Sequence, residues 1–342
     1  MEKNIYFSRL AAIWLNKMKK KVTYTWYINL NNYVKHCNEY IGNKKIVDIK
    51  PYDIDIIIEN LANRNPNTNK PASKKFLQQL VNTLQRIFDF AIENELIYRN
   101  PAKGKKKEIP KNAPQKTVEP LTPRQQQLVI DVEHRAKIAA VLMMFTGLRT
   151  GELLALEWDD IDLYNYKIFI CKRVQKVDTN TYEIKPHTKN GRDRTITIPI
   201  NLGKWLSKQK RRAVSNLVCP NLDNQLQTPT QWKRLWQSYQ NQINYYCYKE
   251  ACKKTHQQQY SYYSPKKIPK IATKFNPHQL RHTYATLLYI SGVDVLTAQN
   301  LLGHSDVTTT LKIYTHLDEK FKQLNITKFE KYIKNDLDVT NI

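Results

Sequence analysis

The stretch His187–Ile200, HTKNGRDRTITIPI, is where an otherwise helical sequence changes period. From Arg194 onward polar and apolar residues alternate, the repeat of a half-buried strand whose successive side chains face opposite sides of a sheet. Upstream, KIFICKRV (Lys167–Val174) and TYEIKPHTK (Thr181–Lys189) read as further short β runs. Asn190 and Gly191 tolerate positive φ and stand between two of these runs, which predicts a tight hairpin there. The segment from Tyr166 to Ile200 is thus expected to form a small antiparallel β-sheet in a mainly α protein.

On the N-terminal side, apolar residues recur at helical spacing: Phe7, Leu10, Trp14 and Met18, then Trp26, Leu30, Tyr33 and Cys37, then Phe76, Leu80, Leu84, Ile87 and Ala91. A shorter helix is expected after Pro51 and Asp53. Residues 1–101 therefore read as a small helical domain. Residues 102–120 are rich in Pro and Lys without apolar periodicity, and are expected to be a basic interdomain linker. Its Lys103, Lys105, Lys106, Lys107 and Lys111 would either lie along a phosphate backbone or decorate a solvated tether.

A second domain, 121–325, opens at LTPRQ, where Thr122 is suited to cap a helix, Pro123 to its first turn and Gln125 to a capping box. The helical run Ala136–Trp158 is interrupted at Gly147 and restarts near Thr150. Helices resume with TQWKRLWQSYQNQI (Thr230–Ile243). The Tyr- and Lys-rich stretch Asn244–Lys274 has no clear period; it reads as a solvated insertion or, through aromatics interleaved with cations, as a nucleic-acid contact. Residues 326–342 form a C-terminal tail.

The 342 residues carry 55 Lys and Arg against 30 Asp and Glu, a formal charge of +25 that favours a polyanionic partner, nucleic acid before anionic membrane. No apolar run approaches the ~18–20 residues of a membrane span, and MEKNIYFSRL lacks the apolar centre of a signal peptide, so a cytoplasmic protein acting on DNA is expected. Five cysteines scattered along the chain argue against a disulfide framework. Cys247, Cys252 and His256 fit no common zinc spacing, and no metal site is expected.

Four local signals carry chemistry. In TGLRTGELLAL (Thr146–Leu156), Arg149 sits between a Gly turn and a helix start, where backbone N–H groups and a guanidinium face an anion together. Lys189 stands at the Asn190–Gly191 turn. In PHQLRHTYATLLYISG (Pro277–Gly292), His278 and Arg281 share one face of a helix start, off an apolar stripe of Leu280, Tyr284, Leu287 and Leu288, so packing does not require them. In LLGHSDVTTTLKIYTHL (Leu301–Leu317), Leu301, Leu302, Val307, Leu311 and Ile313 supply a core face, His304 follows a glycine, and Tyr314 arrives ten residues later. Each is ordinary taken singly. Together they meet the needs of phosphodiester chemistry: forked cations on the nonbridging oxygens, a nucleophile, a proton acceptor and an acid for the leaving oxygen.

In these motifs, their order and their spacing, the chain resembles the tyrosine recombinases, or tyrosine-type phage integrases, over nearly its whole length. The resemblance implies a SAM-like helical core-binding domain joined to a mixed α/β catalytic domain, closing on DNA as a C-shaped clamp. It implies that Tyr314 is the nucleophile, forming a 3′-phosphotyrosine as a 5′-hydroxyl leaves; that Arg149 and Arg281 clamp the phosphate; that Lys189 is the acid; that His278 moves the proton; and that His304 holds the phosphate. Glu152, three residues after Arg149, matches an acidic position that supports the site. The implied reaction conserves bond energy and needs no cofactor, metal or ATP. The implied partners are double-stranded DNA, further copies of the chain in a tetrameric synapse, and DNA-bending accessory proteins, with no membrane.

The expected activity is site-specific recombination that integrates or excises a mobile element or prophage. Many family members carry a further N-terminal arm-binding domain, whereas here the core-binding pattern is expected from the start of the chain, which leaves open an integrase without arm sites, a Xer-like resolvase, an invertase or a shortened relative. A type IB topoisomerase shares the chemistry but religates the original strand. A non-enzymatic helix-turn-helix protein would account for DVLTAQNLLGHSDVTTTLKIY (Asp294–Tyr314) and the charge, but not for Arg149, Lys189, His278 and Arg281.

Overall fold

A computed structural model describes residues 4–66, 68–115, 117–188 and 191–315, with side chains as far as Leu311. Lys189, Asn190, the side chains of Ile313 and Tyr314, and the tail expected at 326–342 lie outside the described residues. The chain divides into two units, Met1–Thr117 with Lys176–Asp178, and Val118–Gln175 with Thr179–Ile342. Among the described residues no helix is long and apolar enough to cross a membrane.

The first unit is built from α1 (Phe7–Lys19), α2 (Tyr24–Ile41), α3 (Pro51–Asn63) and α4 (Lys74–Glu93). The hydroxyls of Thr23 and Ser73 accept from Trp26 N and Phe76 N and so start α2 and α4. The expected stripes meet in one core, with Phe7, Leu10, Leu30, Cys37, Leu80, Leu84, Ile87 and Ala91 fully or almost fully buried. The tract read as a linker departs from that reading. Ala102, Ile109 and Ala113 are buried in the same core, and Asn100 Nδ2 donates to Gln85 O at 2.9 Å. Lys105 Nζ pairs with Asp55 Oδ2 at 2.6 Å. Small apolar residues spaced through a polar run give no helical period, so this anchoring is invisible to periodicity; Lys103, Lys106, Lys107 and Lys111 are exposed.

In the second unit, α5 (Pro123–Asp131) begins with the expected capping box: Thr122 Oγ1 accepts from Gln125 N at 3.2 Å and Gln125 Oε1 from Thr122 N at 2.9 Å. Next, α6 (Lys137–Thr146) is apolar almost all round and is the central helix, burying Ala139, Ala140, Leu142, Met143 and Met144. Gly147, at φ +65°, ends it, and α7 (Thr150–Leu154) follows.

The strands are β1 (Ile161–Asp162), β2 (Lys167–Ile170), β3 (Lys172–Lys176), β4 (Tyr182–Pro186) and β5 (Arg194–Thr197). They form an antiparallel sheet in the order β1-β2-β5 and a separate β3-β4 pair. The hairpin expected around Asn190–Gly191 is therefore not a pairing of its flanking strands. Gly191 does take φ +66° and donates to Thr188 O at 3.0 Å, but β4 goes to β3 and β5 to β2. Asp193 sets this loop, its Oδ1 accepting from Thr188 N at 3.1 Å and its Oδ2 meeting His187 Nδ1 at 2.7 Å. In register, Ile168 faces Ile196 and Ile170 faces Arg194.

The remaining helices are α8 (Ile200–Lys210), α9 (Pro229–Thr255), α10 (Pro277–Ile290), α11 (Val295–Leu302) and α12 (Val307–Thr315). Helix α9 runs well into the Tyr- and Lys-rich stretch that showed no clear period. Helix α10 packs along α6, which brings the end of α6, the start of α10 and the end of α11 together.

Candidate active site

Every helix leaves its last carbonyls without intrahelical donors, and these sit at the negative end of the helix dipole. At the end of α11, three arginines from three different elements take three consecutive carbonyls. Arg194 Nε donates to Leu301 O at 3.0 Å, Arg281 Nη2 to Leu302 O at 2.6 Å and Arg149 Nη2 to Gly303 O at 2.7 Å. Arg281 Nη1 also donates to Gly147 O, at the end of α6, at 2.5 Å.

One carboxylate joins the cations. Glu152, at the third position of α7, accepts from Arg149 N at 3.0 Å and Arg149 Nη1 at 2.7 Å, and from Arg194 Nη1 and Nη2 at 3.1 and 2.8 Å. Burial alone would raise its pKa. The Arg194 hydrogen bonds and the charges of Arg194 and Arg149 outweigh burial and hold it at about 2. Two guanidinium groups thus hold this carboxylate and Arg281 adds a third positive charge nearby, leaving a net positive site. Arg149, the most exposed of the three, keeps N–H donors beyond those spent on Glu152 and Gly303.

Arg281 was expected off the apolar stripe and free of packing. It is instead only 4% exposed. The reason is the pair of helix-end carbonyls, which stand in for most of the water around the cation. Burial, and after it the Arg149 charge, lower its pKa to about 9, so it stays protonated at neutral pH. Of its expected stripe, Leu280 and Tyr284 are buried while Leu287 and Leu288 are half-buried. Three residues before Arg281, His278 lies exposed in the first turn of α10, where Asn276 Oδ1 accepts from Gln279 N at 3.1 Å.

His304 follows Gly303, which turns the chain at φ +64°. Its Nδ1 meets Thr310 Oγ1 at 2.9 Å. Burial lowers its pKa, Arg281, Arg149, Arg194 and His278 push it further, and it lies at about 4. The imidazole is therefore neutral at pH 7, with Nδ1 engaged by Thr310 and Nε2 without a partner among the described residues. In α12 the expected core face is only partly right: Leu311 is 41% exposed and Thr310 is buried in its place, as the partner of His304. Lys189 lies outside the described residues, but both flanks of its loop are tied, Thr188 Oγ1 donating to Arg192 O at 2.7 Å and Arg173 Nη1 to Thr188 O at 3.1 Å. The backbone of Tyr314 belongs to α12.

The structure thus brings together Arg149, Glu152, Arg281 and His304, with His278 one helical turn from Arg281. The residue that sequence reasoning passed over is Arg194. Its signal was present, because alternation in RTITIPI puts Arg194 on the same face as Ile196 and Ile198, and a cation on the core face of a strand needs a partner. Two glycines let these groups approach. A Cβ on Gly147 would stand 2.4 Å from Tyr284 Cδ1, and one on Gly303 3.0 Å from Arg194 Nη1.

A family model described as the phage integrase family matches residues 121–320. A tyrosine recombinase XerC-like protein of Caldanaerobacter subterraneus subsp. tengcongensis is 29% identical over 310 residues, covering 85% of this chain and 74% of that one. The ICEBs1 integrase of Bacillus subtilis is 26% identical over 328 residues, covering 92% of this chain and 80% of that one. Among solved structures, the Tn1549 transposon integrase in complex with a circular intermediate DNA superposes with a TM-score of 0.71 at 18% identity, over 95% of this chain and 99% of that one. A lambda integrase dimer bound to a core site superposes with a TM-score of 0.59 at 15% identity, over 91% and 77%. At these identities the structural likeness speaks to the fold alone.

Proposed function

The chain belongs to the phage integrase family, and from that premise we propose that it is a site-specific DNA recombinase that integrates or excises a mobile element through a 3′-phosphotyrosine. The observation that carries the reading is the set of three arginines on the carbonyls of Leu301, Leu302 and Gly303, which the carboxylate of Glu152 only partly neutralises. The nonbridging oxygens of a phosphodiester bring negative charge to this net positive cluster, and the cations are fixed before it arrives, so little reorganisation is needed as charge develops.

In this reading Tyr314 Oη attacks the phosphorus and its proton passes to His278. The bond from phosphorus to the 5′-oxygen breaks, and Lys189 protonates that oxygen. Arg149 and Arg281 hold the nonbridging oxygens, His304 donates to one of them from Nε2, and Glu152 fixes the Arg149 guanidinium. Arg194 positions Glu152 and the His304 turn. A 5′-hydroxyl from a second duplex reverses the step and exchanges strands. The exposed Lys103, Lys106, Lys107 and Lys111 follow the phosphate backbone near the first unit, and the active form is an oligomer of this chain on DNA, assembled with DNA-bending proteins, in the cytoplasm.

Strand exchange between two labelled duplexes carrying the element's ends tests this reading. Recombinant strands and four-way junctions are expected. Relaxation of supercoiled DNA without any exchange between duplexes would favour a type IB topoisomerase.

A further inference from the structure

The stretch Asn244–Lys274 is absorbed by none of the roles above, and it is a built element. Helix α9 ends at Thr255 and the chain folds back after His256, which takes φ +53°. Tyr248 Oη accepts from Tyr260 N at 3.0 Å. Asn244 Oδ1 accepts from Ile271 N at 2.8 Å and Ala272 N at 3.0 Å, while its Nδ2 donates to Pro269 O at 3.0 Å. The Tyr245 and Tyr262 rings meet edge to face at 5.3 Å. The element is rooted in its unit by the Arg124–Glu250 ion pair and by Gln240 Oε1, which accepts from Phe275 N at 3.0 Å.

This frame carries seven lysines against one glutamate. Lys253, Lys254, Lys266, Lys267, Lys270 and Lys274 are exposed, and no ion pair with a carboxylate among the described residues neutralises them; Glu250 is already engaged by Arg124. Tyr263 is 90% exposed beside them. Tyrosines and asparagine make the hydrogen bonds that hold the element, and of the exposed lysines Lys267 also touches it, its Nζ 5.5 Å from the centroid of the Tyr260 ring. Concentrating like charge on an ordered surface is unfavourable unless a polyanion meets it.

The element also leads into the site. Lys274 is four residues before His278 and Lys270 eight, so they lie within about 14 and 29 Å of it along even a fully extended chain. A duplex carries one charge per ~1.7 Å of its axis, so one with a phosphate at the site has many more within that reach. We propose that the lysine surface of residues 253–274 binds the phosphate backbone of duplex DNA flanking the strand being cut. This rests on the reading of the chain as an enzyme acting on DNA.

The test compares the wild type with Lys266→Ala/Lys267→Ala/Lys270→Ala, measuring affinity for a random-sequence duplex of several helical turns over a range of salt. The variant is expected to melt with the wild type and to lower the slope of log affinity against log salt by about 2 to 3. The corresponding Lys→Arg triple is expected to restore the slope. An unchanged slope overturns the inference and leaves the surface to an acidic protein partner. Binding to random duplex requires neither the recombination site nor Tyr314, so this result is independent of whether a covalent adduct forms.

Discussion

Arg194 meets Glu152 as a fork on a fork: Nη1 and Nη2 reach the two carboxylate oxygens at 3.1 and 2.8 Å, and the side chains are 7% and 2% exposed. The same guanidinium uses Nε on Leu301 O, so one planar group ties the start of α7 to the turn that carries His304. Removing it leaves a buried carboxylate with Arg149 as its remaining cation. Arg194→Met is expected to cost about 3–5 kcal/mol of stability, measurable by chemical denaturation. Lysine lacks the planar fork, so Arg194→Lys should recover only part of it. If Arg194 acts by positioning, cleavage in the folded Arg194→Lys protein should fall in kcat with little change in KM.

The two turn glycines should differ in tolerance. Both have φ near +65°, where an added Cβ is strained. Gly147→Ala also drives a Cβ into the buried Tyr284 ring, whereas at Gly303 the neighbour is the Arg194 side chain. Thermal melting is expected to show both variants destabilised, Gly147→Ala the more severely.

Acid should weaken the fold in two overlapping windows. His304 ordinarily titrates at 6.5 and lies at about 4 in the fold, so as pH falls between those values the unfolded chain binds a proton that the folded one refuses, and stability drops. Glu152 ordinarily titrates at 4.5 and lies at about 2; its contribution is complete above 4.5 and is lost as pH falls toward 2. Denaturation midpoints measured across this range should decline with acidification, and His304→Gln should flatten the upper part of the decline.

Much of this was legible in the residues. The helical stripes of the first unit, the Thr122 capping box and the Gly147 turn follow from local rules that the structure obeys. The pairing of β5 with β2 was not legible, because alternation sets which face a strand buries and not which strand it joins. The burial of Arg281 escaped for a related reason: its partners are backbone carbonyls at the ends of two other helices, and no sequence pattern marks a carbonyl. Arg194 could have been found, since RTITIPI places it beside Ile196 and Ile198 on the buried face. The tract at 102–120 was misread because Ala102, Ile109 and Ala113 have no period.

Thr310 should matter through His304. Thr310→Val keeps the side-chain shape and removes the partner of Nδ1. A loss of about 1 kcal/mol in stability is expected. Strand cleavage should slow while DNA affinity is kept, because the imidazole loses its orientation and not its place. A variant with unchanged cleavage would remove Thr310 from the account of the site.

The decisive measurement is trapping of the protein on a nicked suicide duplex taken from the flanks of its gene, in EDTA, on a denaturing gel beside Tyr314→Phe. The expected result is a covalent protein–DNA adduct that survives EDTA and is absent from the variant. Sequence-specific binding to that duplex without an adduct would contradict the catalytic reading and make Tyr314 a packing residue of a DNA-binding helix.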